Sequence, residues 1–173
     1  MNDLQPREQR QAEAQGVLYL LFRIGEQRFA LDVHEVIEVL PLRPLKPIAR
    51  APAWVAGILG HRGALVPVID LSALSFGEPA AQRTSTRLVL MQYHGDPKRP
   101  GLQLGLVLEQ ATDTLRCPPG EFQPYGLENG EAPYLGPVRQ DAQGLLQRIQ
   151  VDDLLNEDVR LLLFPEEPAQ VAG

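Results

Sequence analysis

Apolar residues come in short runs separated by glycine, proline and polar turns, and most runs have the length of a strand. VLYLLFRI (17–24) is followed by the turn-forming GEQ and then by FALDVHEV (29–36). In the second run Phe29, Leu31 and Val33 alternate with Ala30, Asp32 and His34, the period of a half-buried strand, so the pair predicts a hairpin. HEVIEVL (34–40) has a spacing that suits a helical turn or a further strand. PLRPLKPIARAP (41–52) holds four prolines and predicts an extended, irregular connection. AWVAGILG (53–60) reads as a short helical turn or a strand, and ALVPVIDL (64–71) as a strand. Pro67 cannot donate to a ladder, so that strand is expected at an edge or with a bulge.

SALSFGEPAAQRTST (72–86) predicts a surface loop with one helical turn at most, dividing the chain near its middle. RLVLMQYH (87–94) and LQLGLVLEQ (102–110) are strands around the connector GDPKRPG, and ATDTLRC (111–117) is placed to extend the second. A loop follows over 118–133. YLGPVRQ and LLQRIQ enclose DAQG, a third hairpin signal. In VDDLLNEDVRLLLF (151–164), Leu154, Leu155, Val159, Leu162 and Leu163 fall at helical spacing. Asp152 or Asp153 is the expected cap, and Pro165 the stop. About eight to ten short strands and one terminal helix predict an all-β barrel or sandwich. The expected organisation is a polar tail over 1–15, one domain over 16–165 with two similar hairpin-led halves, and a tail over 166–173.

Composition narrows the picture. A chain of 173 residues that is 44% apolar can bury a core as one ordinary domain. The 16 Pro and 15 Gly are spread through the chain, which favours strands and turns over long helices. The net charge of −6 argues against a nucleic-acid surface. Cys117 is the single cysteine, so neither a disulfide framework nor a cysteine-rich zinc site is expected, and a reducing cytosol fits. No apolar run approaches the roughly 20 residues that span a bilayer.

Candidate chemistry is sparse. His34, His61 and His94 lack the spacing of a helical metal pair, and no metal or other cofactor is expected. Cys117 precedes two prolines in a loop with no base beside it, which suits a packed thiol better than a nucleophile. The carboxylates Asp32, Glu35, Glu38, Asp70, Asp152 and Asp153 form no pair that spacing would single out. Gly57, Gly60 and Gly63 lack a phosphate-loop lysine and read as turn residues. Glu38 amid apolar residues and Arg62 between glycine-rich turns suit a charge pair at the edge of an apolar surface. The residues leave structural pairing and partner recognition both open. An alternative is a small hydrolase or ligand-binding β-barrel using Asp70, His61 and Arg62, which lie close along the chain.

Four motifs in order resemble the CheW family, adaptors that couple chemoreceptors to a histidine kinase. They are YLLFRIGEQRFALDVHEVIEVL, PIARAPAWVAGILGHRGALVPVIDLS, RLVLMQY with LQLGLVLEQATDTL, and YLGPVRQDAQGLLQRIQVDDLL. The resemblance spans about 17–164. It implies two intertwined five-stranded SH3-like barrels with a short C-terminal helix, and no enzymatic activity. It implies two partners: the regulatory domain of a CheA-type histidine kinase, and the cytoplasmic tip of a chemoreceptor held in a groove between the barrels. By position, Val36, Glu38, Val39, Arg62, Ala111 and Thr114 correspond to receptor-binding residues, with Glu38 and Arg62 paired. Gly57 corresponds to a glycine of the interaction surface. Relatives often carry valine at 111 and 114, and Asn-Leu in place of Gly60-His61. The long HGDPKRPG connector and proline-rich PLRPLKP differ from compact motility adaptors and point to a Wsp-type surface-sensing pathway. The resemblance implies a cytoplasmic protein recruited to membrane-bound receptor arrays through its partners.

Overall fold

A computed structural model describes residues 16–124, 130 and 132–166. The tail expected over 1–15, all but the first residue of the tail expected over 166–173, and part of the loop expected over 118–133 lie outside the described residues. The first two apolar runs form the antiparallel pair β1 (Val17–Ile24) and β2 (Gln27–Asp32). The ambiguous run after them divides into a 3-10 turn, Val33–Glu35, and β3 (Val36–Pro41). The run that suited either a helical turn or a strand is a strand: β4 (Val55–His61) pairs with β5 (Ala64–Asp70). Helix α1 (Leu71–Phe76) supplies the one helical turn of the middle loop. There follow β6 (Arg87–Tyr93), β7 (Leu102–Cys117), which includes the 111–117 extension, and the hairpin of β8 (Leu135–Asp141) with β9 (Gly144–Ile149).

The terminal helix is shorter than its apolar spacing suggests. A 3-10 turn, Val151–Asp153, comes first, and helix α2 is Glu157–Leu163. Its cap is Asn156, whose Oδ1 accepts from the Val159 N–H at 2.9 Å, and not Asp152 or Asp153. Asp152 is engaged elsewhere, accepting from the backbone N–H of His94 at 2.9 Å.

β7 is 16 residues long and serves two sheets. Its first half lies antiparallel to β6 and parallel to β5, and its second half pairs with β1. One sheet runs β4-β5-β7-β6-β3 and the other β7-β1-β2-β9-β8, so each has five strands with β7 shared. The change of sheet falls at Gln110, a non-glycine residue at φ 50°, where the β1–β7 register breaks. The boundary between sheets is therefore inside β7 and not in the 72–86 loop. The grouping is the expected intertwined pair of five-stranded units, but neither sheet closes into a barrel by a continuous ladder.

Proline explains the open side. The chain leaving β3 carries Pro41, Pro44 and Pro47, and the chain leaving β7 carries Pro118, Pro119 and Pro124, none with an N–H for a ladder. Among the described residues each gap is crossed by one bridge. Lys46 and Ile58 exchange backbone hydrogen bonds of 3.0 and 2.8 Å, and Gln123 and Val138 exchange bonds of 2.8 and 2.9 Å. The Lys46 bridge also accommodates Pro67. Ile58, opposite Pro67, directs both its backbone groups to Lys46, so no N–H is required of position 67 on that side.

The core has three parts. A large cluster takes Phe22 and Phe29 from one sheet and Ile69, Val89, Met91 and Leu104 from the other, so it lies in common to both. The β3–β7 sheet keeps a smaller cluster of its own, Leu40, Leu59, Val66, Val68, Leu88, Leu90 and Val107. The other sheet encloses Tyr19, Ala30, Cys117, Phe122 and Leu146. Val68 and Ile69, adjacent on β5, go to different clusters, as strand alternation requires.

Candidate functional site

A bulge in β3 decides where residues 36–39 face. Val36 stands opposite Met91 and Glu38 opposite Leu90, which leaves Ile37 as the extra residue. Residues directly opposite in a ladder share a face. Met91 belongs to the shared core and Leu90 to the small one. Val36 therefore packs against the shared core, while Glu38 turns to the mouth of the small core. Val39, opposite Val89, returns to the shared-core side. Ile37 and Val39 remain 41% and 43% exposed.

The β4–β5 hairpin brings the second half of the site. Leu59 points into the small core, and His61, two residues on, shares its face. His61 Nε2 donates to Glu38 Oε2 at 2.8 Å, and Arg62 Nη2 donates to Glu38 Oε1 at 3.3 Å. The side chains of His61, Glu38 and Arg62 are 12%, 29% and 77% exposed, so the histidine contact is both shorter and better shielded. Hydrogen bonding from His61 holds the Glu38 carboxyl below the usual carboxylate range against the opposing effect of burial, and the charges of Arg62, His61 and Arg43 act in the same direction as the bond. Arg62 and Gly63 form the two-residue hairpin loop at φ 50° and 79°, the positive values that a type I′ turn needs at both places.

The expected pairing of Glu38 with Arg62 is present as the weaker of two contacts. His61, absent from the expected receptor-binding set, is the closer partner. Its signal in the sequence is the two-residue step from Leu59, which puts a polar side chain on a core-facing row.

Gly57 is buried at φ 143°, at a register shift in β4, and a Cβ there would stand 2.6 Å from the Lys46 carbonyl oxygen. The bare backbone is what lets the chain beyond β3 approach β4. Ala111 is 3% exposed and lies within the shared core, just past the Gln110 bend. Thr114 is exposed and stands opposite Leu20, a member of that core. Val36, Val39, Ala111 and Thr114 thus come from both sheets and all face the shared core, whereas Glu38 and Arg62 meet at the mouth of the small one.

Asp70, His61 and Arg62 do not converge. Asp70 Oδ1 accepts from the Ala73 N–H at 3.1 Å and Oδ2 from the Ala80 N–H at 2.9 Å. His61 opposes Ala64, at the other end of β5 from Asp70, a run of about 20 Å at strand rise. The three therefore make no common site, which removes the structural basis for the hydrolase alternative. His34 Nδ1 lies 3.0 Å from Asp32 Oδ1, far along the chain from the His61 cluster. Among the described residues no group of three or more His, Cys, Asp or Glu side chains is arranged to hold a metal. Cys117 is buried, and burial pushes its thiol pKa up, away from nucleophilic character. No helix of the described residues is long and apolar enough to cross a membrane.

Residues 18–159 match a family model described as the CheW-like domain. The chain is 30% identical over 105 residues to a chemotaxis protein CheW of Rhizobium meliloti, a match covering 61% of this chain and 64% of that protein. It is 24% identical over 112 residues to the chemotaxis protein CheW of Klebsiella aerogenes, covering 65% and 64%. It is 41% identical over 61 residues to protein FrzA of Myxococcus xanthus, covering 35% and 38%. The chain thus spans less than two thirds of the length of these relatives. Among solved structures, scaffolding protein TtCheW of Thermoanaerobacter tengcongensis superposes with a TM-score of 0.71 at 18% identity, over 82% of this chain and 88% of that one. That is a likeness of fold.

Proposed function

The chain belongs to the CheW-like domain family, and from that premise we propose that it is a non-catalytic adaptor joining a chemoreceptor to a CheA-type histidine kinase. The observation that carries the reading is that Val36 and Ala111, from two sheets, pack on one shared apolar core, with Val39 and Thr114 opposite members of that core in their ladders. Val39 and Thr114 are exposed at its margins, which suits a helix laid across the junction by its apolar face. The cytoplasmic tip of a receptor is that helix in this reading. The regulatory domain of the kinase, similar in fold, takes a different surface. The adaptor needs no cofactor and no membrane segment of its own; it works on the cytoplasmic side, recruited to receptor arrays by its partners. The long connections 41–52 and 95–101 support assignment to a surface-sensing pathway over a motility pathway.

The test is joint binding. Titration of the full chain with the kinase regulatory domain, then with a receptor-tip fragment, is expected to give a ternary complex in sedimentation velocity. Mutual exclusion of the two partners, or failure to bind either, would contradict the adaptor role.

A further inference from the structure

Between Glu38 and Asp70 the chain carries no acidic residue. Residues 39–69 include Arg43, Lys46, Arg50 and Arg62, so the 22 Asp and Glu and the other 12 Lys and Arg lie elsewhere, a balance of −10 against +4. Three of the four cations sit on the proline-punctuated connection from β3 to β4. Arg43, Lys46 and Arg50 are exposed, and no ion pair among the described residues includes them. The carboxylates that bound this segment are both engaged, Glu38 by His61 and Arg62 and Asp70 by two backbone N–H groups.

Beside Arg43 a hollow of about 500 Å³ opens between the start of this connection, β4, β7 and the segment 79–82. Leu42, Leu45, Ala56 and Val107 form its apolar wall, continuous with the small core; Arg43 lines it with them, and so does Asp70, both of whose carboxylate oxygens already accept backbone N–H groups. A hollow of that size accommodates a few side chains.

We propose that the β3–β4 connection and its hollow are a docking site for a carboxylate-rich amphipathic helix of a partner protein, separate from the surface over the shared core. Apolar side chains on one face of the helix fill the hollow, and flanking Asp and Glu meet Arg43, Lys46 and Arg50. A strand has no ladder to extend here: Pro41, Pro44 and Pro47 lack N–H groups, and the backbone of Lys46 is already bonded to Ile58. Recognition therefore falls to side chains, as in helix-in-groove binding. A polyphosphate fits less well, since the hollow offers phosphates an apolar wall where the helix has apolar side chains to bury.

The site goes beyond the adaptor reading and is tested apart from it. The probe is a synthetic helix of about five turns with leucines on one face and glutamates flanking them, beside its lysine-for-glutamate counterpart. Both are titrated into the full ¹⁵N-labelled chain. The glutamate peptide is expected to shift resonances at Leu42, Leu45, Ala56 and Val107, and the lysine peptide to leave them in place. The double reversal R43E/K46E, at exposed side chains, is expected to weaken the glutamate peptide about tenfold or more while circular dichroism and receptor-tip binding stay unchanged. Peptide shifts confined to other residues, indifference to the double reversal, or tighter binding of a single-stranded oligonucleotide would each overturn the proposal. Loss of receptor-tip binding by the unaltered chain would count against the adaptor reading and leave this site standing.

Discussion

His61 Nε2 lies 2.8 Å from Glu38 Oε2 and so joins β4 to β3, the two terminal strands of one sheet. With the Lys46–Ile58 bridge, this contact holds the open side of the sheet shut over the small core. Glu38 is thus a clasp before it is a recognition residue, and Arg62, exposed and loosely held, is the member of the trio free to meet a partner.

His61→Leu removes the stronger partner of Glu38. In carboxyl NMR titrations the Glu38 pKa is expected to rise toward the ordinary value of about 4.3 in this variant. Because the folded pKa is depressed, the contribution of Glu38 to stability is complete above the unfolded pKa and is lost as pH falls through the folded one. Denaturation at a series of acid pH values is expected to show that slope in the native chain and a flatter one in His61→Leu. Identical titration curves would show that the histidine contact is not formed in solution.

Gly57→Ala puts a Cβ against the Lys46 carbonyl at a backbone angle that L side chains rarely adopt. The expected loss is about 2 kcal/mol or more, read as a lower urea midpoint with the slope unchanged.

Ala111→Val adds volume at a site that is 3% exposed beside the Gln110 bend. A destabilisation of about 1–3 kcal/mol is expected, the range for overpacking a filled core. A stable variant with tighter receptor binding would mean that position 111 opens to the partner.

Asp70→Ala removes the acceptor of two backbone N–H groups, at the start of α1 and at Ala80. Thermal or chemical denaturation is expected to report a loss of about 1–2 kcal/mol. Asp70→Asn, which keeps one acceptor oxygen, is expected to fall between the two.

Strand positions were readable because short apolar runs lie between turn residues, but the alternating run 29–36 is not half-buried: Ala30 is enclosed in the second sheet's own cluster, and Val33 leaves the ladder for a 3-10 turn. The open sides of the sheets were less readable. Pro44, Pro47 and Pro118 announce irregular chain, but that one backbone bridge crosses each gap depends on which strands end the sheets. The bulge at Ile37 was hidden for the same reason: only the ladder with β6 reveals that Val36 and Glu38, two apart, face opposite ways. The helix cap is Asn156 and not Asp152, because the carboxylate of Asp152 accepts from the backbone N–H of His94, distant in the chain. The Glu38–Arg62 contact was legible in the isolated charges themselves and in the resemblance, whereas His61 needed the geometry of β4 to become the nearer partner of Glu38.

The central claim, that a receptor helix lies across the margins of the shared core, is tested most directly at Val39 and Thr114. Isothermal titration of a receptor-tip fragment into Val39→Asp, Thr114→Asp and a control, Lys98→Asp on the 95–101 connector, separates the possibilities. Each of the first two is expected to weaken receptor binding about tenfold or more without lowering stability or kinase binding, and the control to bind as the native chain does. Unchanged receptor affinity in both Val39→Asp and Thr114→Asp would contradict it.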